Sequence, residues 1–194
     1  MSKLATSAAI LVAGASLLTL TQSSAAAATA SYPPAETPVV ISNASTGFYL
    51  TTDGQTEAEQ YVTVYYHWPL LNDGSGSIWR LQHRGGARYT IETEQIKSTK
   101  SFCLTTPDNA KNNGALQVKE CNGGTSQSWT VREQQKSETY TITPSSRNFQ
   151  QWAITTQGQN YGAADAYVTL KHFAGTHAPT NMRWKIDSTS VPGS

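Results

Sequence analysis

The chain has 194 residues with 14 basic and 13 acidic side chains, which gives a formal net charge of +1 at pH 7. A charge this close to zero provides no electrostatic attraction to nucleic acid or to anionic membranes, so neither is expected as a partner. Charged residues make up only 14% of the chain, and uncharged polar residues, Trp and Tyr are well supplied. This composition suits neutral polar ligands such as sugars, but a secreted β protein uses the same residues in its turns.

The N-terminal 30 residues have the three regions of a secretory signal peptide. Lys3 precedes an apolar run at about Ala8–Leu20, and Ala28–Ala30 fits a cleavage signal before Ser31. The apolar run is too short to span a bilayer comfortably, which disfavours the alternative of a membrane anchor. The sequence therefore predicts a secreted, extracellular protein with a mature chain of 31–194 and no membrane span.

Four features recur three times, in the same order, along the rest of the chain. Each copy has a lead-in strand, an apolar residue followed by Thr-Thr, an alternating strand and a closing tryptophan. The Thr-Thr segments are Leu50–Thr52, Leu104–Thr106 and Ile154–Thr156, the alternating strands are Val62–Val64, Leu116–Val118 and Val168–Leu170, and the tryptophans are Trp79, Trp129 and Trp184. Period-2 alternation and short polar turns predict strands throughout, and no long stretch after residue 31 has helical periodicity. The sequence predicts a closed, symmetric all-β fold with three copies of about four strands each.

The only two cysteines, Cys103 and Cys121, lie in the second copy. In an oxidising compartment we expect them to form a structural disulfide. Closing a loop of this size is worth roughly 3 kcal/mol in the chain-entropy model. The alternative is a metal-binding or catalytic role, and nothing nearby in the sequence supports it.

The second copy contains CLTT, GALQVKEC and QSW in that order, and it resembles the repeat of the ricin-type (R-type) lectin β-trefoil family. The matching residues are Cys103, Leu104, Gly114, Val118, Cys121, Gln127 and Trp129. The outer copies keep the apolar residue before Thr-Thr, the strand and the tryptophan. The resemblance implies a β-trefoil with three pseudo-threefold lobes, in which a six-strand barrel is capped by three hairpins. It also implies that Trp79, Trp129 and Trp184 are core residues.

The resemblance covers roughly residues 38–187, and it sets the expected domain organisation. The chain would consist of a signal peptide at 1–30, a linker at 31–37, the trefoil at 38–187 and a tail at 188–194. The three lobes are expected at about 38–84, 85–135 and 136–187.

The family's sugar-binding positions are only partly kept. Competent lobes of that family present a carboxylate after the Cys-Leu pair, an aromatic residue after the alternating strand and an Asn before the Q-x-W Gln. The carboxylate position falls on Thr51, Thr105 and Thr155, the aromatic position on Tyr65, Lys119 and Lys171, and the Asn position near Gly76, on Ser126 and on Asn181. Each lobe therefore keeps a fragment of the set, and no lobe keeps all of it.

The predicted sugar site combines what remains with nearby substitutes. The first lobe contains YYHWP, in which alternation puts Tyr65 and His67 on one face of the strand and Tyr66 and Trp68 on the other. The predicted sugar-binding residues are Asp53, Tyr65, Tyr66, Trp68, Asp108, Gln117 and Asn181. The first lobe is expected to hold the main site, and the alternative is that its aromatic residues belong partly to the core.

No catalytic residue, cofactor or metal site is predicted. His172 and His177 form a possible pair in HFAGTH but have no third ligand nearby in sequence. The chain has no G-x-S-x-G or H-E-x-x-H motif, and its acidic residues are dispersed among turns. Asn43–Ser45 forms a glycosylation sequon.

The sequence therefore predicts a secreted, non-enzymatic, lectin-like protein that binds glycans or glycoconjugates through shallow lobe pockets. The alternative is a trefoil that has lost its sugar sites. Such a protein would bind a secreted protein partner, as a hydrolase inhibitor or a toxin- or adhesion-type subunit.

Overall fold

The computed structural model describes residues 33–52, 60–66, 76–94, 100–107, 113–134, 137–146, 151–156, 166–175 and 177–189. These parts of the chain hold thirteen β-strands and two single-turn 3-10 helices, Thr125–Gln127 and Thr180–Met182. The strands are β1 Pro38–Asn43, β2 Tyr49–Thr51, β3 Gln60–Tyr61, β4 Thr63–Tyr65, β5 Trp79–His83, β6 Arg88–Thr93, β7 Phe102–Thr105, β8 Gln117–Glu120, β9 Trp129–Glu133, β10 Tyr140–Pro144, β11 Trp152–Thr156, β12 Ala166–His172 and β13 Trp184–Ser188.

Six of the strands form a closed barrel, because each of them pairs antiparallel with two others. Going round the barrel, β1 pairs with β5, β5 with β6, β6 with β9, β9 with β10, β10 with β13, and β13 with β1. Closure leaves no unpaired barrel edge for another chain to join. The alternating pattern of the lead-in strands supplies the inward-facing residues, among them Ile41, Ile91 and Ile142, which are fully buried.

Three hairpins complete the fold, and a ring of backbone hydrogen bonds joins them. The hairpins are β2–β4, β7–β8 and β11–β12. The Val62 N–H donates to the Leu116 carbonyl (3.0 Å), the Leu116 N–H to the Val168 carbonyl (2.8 Å), and the Val168 N–H to the Val62 carbonyl (2.8 Å). We call this arrangement the axial ring. It locks one residue of each hairpin against the other two.

The three closing tryptophans make the same buried contact in each sequence copy. Trp79, Trp129 and Trp184 have no exposed surface. Each indole Nε1 donates to the carbonyl of the apolar residue before Thr-Thr in its own copy, at 2.9 Å to Leu50, 2.8 Å to Leu104 and 3.1 Å to Ile154. A buried indole N–H needs such a partner, and here the partner ties each hairpin to the barrel.

Candidate functional site

Strand register places corresponding residues of the three copies at the same point of each hairpin. Residue pairs Tyr49–Tyr65, Cys103–Lys119 and Ala153–Lys171 face each other across their hairpins. Val64, Val118 and Leu170 are buried, whereas the residues that follow them, Tyr65, Lys119 and Lys171, are half-buried and lie on the opposite face of the strand. The aromatic position of the sequence analysis is thus an outer-face position, occupied by one tyrosine and two lysines.

An aromatic cluster lies at the end of the first hairpin, where Phe48 packs against the core. It consists of Phe48, Tyr65 and Tyr66, with ring centroids 4.9 Å apart for Tyr65–Tyr66 and 6.4 Å apart for Phe48–Tyr66. Tyr66 is 52% exposed, whereas Phe48 and Tyr65 are half-buried. We call these three residues the first-repeat cluster. It presents an open aromatic surface backed by packed rings.

The sequence analysis expected Tyr65 and Tyr66 on opposite faces of one strand, and this expectation is wrong. Strand β4 ends at Tyr65, so the side chains of Tyr65 and Tyr66 do not point to opposite faces of a continuing strand but bring their rings together. Three residues of the predicted surroundings, His67, Trp68 and Asp53, lie outside the described residues.

The positions that carry the family carboxylate are buried threonines here. Thr51, Thr105 and Thr155 are 2%, 3% and 1% exposed. The Thr105 hydroxyl donates to the Cys103 carbonyl (2.8 Å), and the Thr155 hydroxyl donates to the Asn181 carbonyl (3.0 Å). Hydroxyls held within the fold in this way are not presented to a ligand.

The predicted polar contacts in the second and third copies are also tied to the fold. Asn181 is half-buried, and its Nδ2 donates to Thr155 Oγ1 (3.3 Å). Gln117 is half-buried in β8, where its neighbours across the strands are Thr105 and Tyr61. Asp108 lies outside the described residues. Of the four predicted sugar-binding residues that the structure describes, Tyr65 and Tyr66 lie at the end of β4, Gln117 lies in β8, and Asn181 lies in the 3-10 helix before β13.

The cysteines form a disulfide that closes the second hairpin. Cys103 in β7 and Cys121 just after β8 are bonded, with Cα atoms 5.0 Å apart. Glu92 lies beside them, and its carboxylate and the two sulphurs fall within 4.8 Å of one another. Because both sulphurs are bonded to each other, this grouping is not a metal site. Burial raises the pKa of Glu92 above its ordinary value, and the nearby guanidinium groups of Arg84 and Arg80 oppose that shift.

Charged and titratable groups elsewhere are engaged in local contacts. Arg80 forms a bidentate ion pair with Glu94, with Nη2 2.7 Å from Oε1, and the Glu94 hydrogen bond raises the pKa of Arg80. Burial raises the pKa of Tyr49, and Asp187 adds to the shift. Of the two histidines considered as a metal pair, His172 packs edge-on against Trp152, with ring centroids 5.5 Å apart, and His177 is exposed.

The sequon residue Asn43 is a structural residue. It is 1% exposed. Its Oδ1 accepts hydrogen bonds from the backbone N–H groups of Ser45 (3.0 Å) and Thr46 (3.2 Å), and its Nδ2 donates to the Asn181 carbonyl (3.0 Å). This side chain therefore closes a turn and joins the end of β1 to the segment before β13, and its amide is not accessible to a glycan.

Sequence reasoning missed one pair of exposed aromatic residues. Tyr61 and Tyr167 are 51% and 44% exposed, and their rings meet edge-to-face with centroids 5.3 Å apart. Each directly precedes a member of the axial ring, where the second copy has Ala115. The signal that could have found them is this shared repeat position, which is aromatic in two copies of three.

Comparisons with known proteins give matches of structure and none of sequence. No protein-family model and no curated protein matches the sequence. The designed 3-fold symmetric protein ThreeFoil superposes with a TM-score of 0.64 and 16% identity, over 78% of this chain and 98% of that one. The Macrolepiota procera ricin B-like lectin, solved with lactose, has a TM-score of 0.59 and 15% identity, over 81% of this chain and 99% of the lectin.

A third similar structure is part of an enzyme. The exo-β-1,3-galactanase 1,3Gal43A of Clostridium thermocellum has a TM-score of 0.61 and 25% identity over 81% of this chain, but only 31% of the galactanase is covered. Together these similarities support the β-trefoil fold. No helix in the described ranges is long and apolar enough to cross a membrane.

Proposed function

We propose that this protein is a secreted carbohydrate-binding β-trefoil whose main glycan contact is the first-repeat cluster of Phe48, Tyr65 and Tyr66. The observation that carries the proposal is Tyr66, a tyrosine ring 52% exposed and backed by two packed aromatic rings at the end of a hairpin. An exposed aromatic face stacks on the apolar C–H side of a sugar ring, and a phenol supplies a hydrogen bond at its edge.

We also infer that the three sequence copies are three lobes around a pseudo-threefold axis. The axial ring and the three indole-to-carbonyl hydrogen bonds repeat with the same partners in each copy. A further repeated bond supports this, because the Cys121 N–H donates to Ser101 (3.0 Å) and the Phe173 N–H to Gln151 (2.9 Å) at matching points of two hairpins.

The lobes are unequal as glycan sites under this proposal. Where the first lobe has Tyr65 and Tyr66, the second has Lys119 and Glu120, and Glu120 forms an exposed ion pair with Lys100 (2.9 Å). A single aromatic site binds weakly, so strong attachment would come from several chains engaging one glycan-bearing surface.

Two findings support the extracellular part of the proposal. The disulfide is of the kind that persists in oxidising compartments, and the N-terminal sequence has the features of a signal peptide. The role proposed is binding alone, without catalysis. The structural similarity to the galactanase covers only about a third of that enzyme.

A glycan array probed with residues 31–194 tests the proposal. We expect binding to a coherent class of glycan, reduced about fivefold by Tyr66→Ala because a stacking contact is worth roughly 1 kcal/mol. Tyr66→Phe keeps the ring and should retain most of the affinity. Lys119→Ala changes the position equivalent to Tyr65 in the second lobe and should leave binding unchanged. Asp53→Ala tests the predicted carboxylate contact in the same way.

A second function is favoured by one observation. All three family carboxylate positions are buried threonines, so the usual sugar-binding geometry is missing from every lobe. A folded protein that binds no glycan on the array would support a β-trefoil that binds a secreted protein partner through its surface. Affinity capture from secreted proteins, with Tyr66→Ala as the control, would then be the decisive measurement.

A further inference from the structure

The Tyr61–Tyr167 pair forms an exposed aromatic corner built from two strands of different hairpins. The two rings are inclined at 64°, with centroids 5.3 Å apart, and roughly half of each side chain is exposed. The strand pairing of the fold brings these two residues together from distant parts of the chain.

The axial ring holds this corner in place. Tyr61 and Tyr167 each precede a valine whose N–H and carbonyl are both bonded in the ring. Their strands are also paired to neighbouring hairpins, with Tyr61 opposite Gln117 and Tyr167 opposite Thr63. Because the backbone is held on both sides, the two rings need little further ordering to receive a ligand.

The described residues that flank the axial ring are uncharged. They are Tyr61, Thr63, Ala115, Gln117, Tyr167 and Thr169, of which Thr63 and Thr169 are buried. Ala115 takes the place that a third tyrosine would fill. An exposed pair of tyrosines fits a sugar ring, which presents a C–H face to one ring and hydroxyls to the phenol and amide groups.

The corner is close to the first-repeat cluster along the chain. Tyr61 ends β3 and Tyr65 ends β4, and only Val62 separates the two strands. Four residues span at most about 14 Å, so the two tyrosines are within reach of consecutive residues of one glycan chain.

We propose that the Tyr61–Tyr167 pair is a second contact point for the glycan bound at the first-repeat cluster, so that the protein binds linear oligosaccharides in preference to monosaccharides. This inference rests on the proposed function and deepens it, because it assigns a ligand length and a second subsite. Neutral chains are the expected class, since both contact points are aromatic and uncharged.

The test compares chain lengths within one sugar series. Linear glucan, galactan, mannan, xylan and chitin oligosaccharides are printed as mono- to tetrasaccharides, and the best series is then measured by calorimetry with the mature protein. We expect the tetrasaccharide to bind about tenfold more tightly than the monosaccharide. Tyr61→Ala with Tyr167→Ala should abolish this difference and leave monosaccharide affinity unchanged. The matched Tyr→Phe pair should preserve it, and Tyr66→Ala should weaken both ligands.

Every other outcome contradicts either this inference or the proposed function. If the wild type binds all chain lengths equally, or if the alanine pair keeps the length dependence, this inference is wrong and the proposed function stands. If the folded protein binds no glycan of any length, both fall together. Should the alanine pair unfold, tyrosine NMR signals of the wild type answer the question, because the signals of Tyr61 and Tyr167 must shift with tetrasaccharide and not with monosaccharide.

Discussion

Removal of the disulfide should lower stability without changing the fold. The bond joins Cys103 to Cys121 across a separation of 18 residues. In the chain-entropy model, opening a loop of that length costs about 3 kcal/mol at 25 °C. Cys103 is completely buried, so Cys103→Ala adds a small packing loss of about 1 kcal/mol. We therefore expect the double variant Cys103→Ala, Cys121→Ala to lose about 3–4 kcal/mol in the free energy of unfolding.

The third hairpin shows why the fold should survive. Ala153 occupies the place of Cys103, and Phe173 occupies that of Cys121, with the equivalent backbone hydrogen bond to Gln151 intact at 2.9 Å. Ala153 packs there with Phe173, Ala178 and Met182 in a small apolar cluster. The same hairpin geometry is thus held by packing in one copy and by a covalent bond in another, so neither device is required to define it.

Urea denaturation followed by tryptophan fluorescence measures the loss directly. For a domain of about 150 residues, it corresponds to a fall in Tm of about 6–16 °C. Near-UV circular dichroism should be unchanged. Reductant should destabilise the wild type by about 3 kcal/mol, which is about 1 kcal/mol less than the double variant loses, and should leave the variant itself unaffected. A loss under about 1 kcal/mol would refute the loop-closure reasoning, and a lost near-UV spectrum would refute the comparison with the third hairpin.

Three further predictions follow from buried contacts. Trp79→Phe, Trp129→Phe and Trp184→Phe should each cost about 2–4 kcal/mol in urea denaturation, because each leaves a buried carbonyl without its donor and a void behind the smaller ring. Unequal losses would contradict the equivalence of the three copies. Asn43→Ala should cost about 2–3 kcal/mol, since three hydrogen bonds are lost; a neutral result would show that the turn does not depend on them. Burial raises the folded pKa of Glu92 above its ordinary 4.5, so the stability due to this group is present below that pH and is lost as the pH rises through the folded pKa. Glu92→Gln should therefore raise the Tm more at pH 7 than at pH 3.5, when the variant and the wild type are melted in parallel. An equal effect of the substitution at both pH values would contradict the raised pKa of Glu92.

The sequence allowed most of the fold to be predicted, because the repeated signal comes from buried positions. Each copy repeats an apolar residue before Thr-Thr and a tryptophan 25–30 residues later. The two recur together because the tryptophan indole donates a hydrogen bond to the carbonyl of that apolar residue. The expected strand Val62–Val64 differs in detail, because Val62 separates β3 from β4. Its N–H and its carbonyl bond to two different hairpins, and no local sequence pattern encodes that arrangement.

The candidate site was harder to predict, because outer-face residues meet across copies. Tyr61 and Tyr167 face each other only because the axial ring aligns their strands. Asn43 matches a surface sequon in sequence but is buried, since its amide bridges to the Asn181 carbonyl at the far end of the chain. Alternation also misplaced Tyr66, because the strand ends one residue before it.

The inner and outer faces of the hairpins are under different constraints, and this difference bears on function. The inner positions must fill one closed core, so they stay alike in all three copies. At matching points of the three hairpins, Phe48, Phe102 and Trp152 pack against the core, and their partners Tyr66, Glu120 and His172 are exposed. One scaffold thus presents three chemically different exposed side chains, and only the first copy presents a tyrosine. A symmetric fold with such unequal faces should engage one glycan chain per protein molecule, which is why the length of that chain is the most informative property to measure.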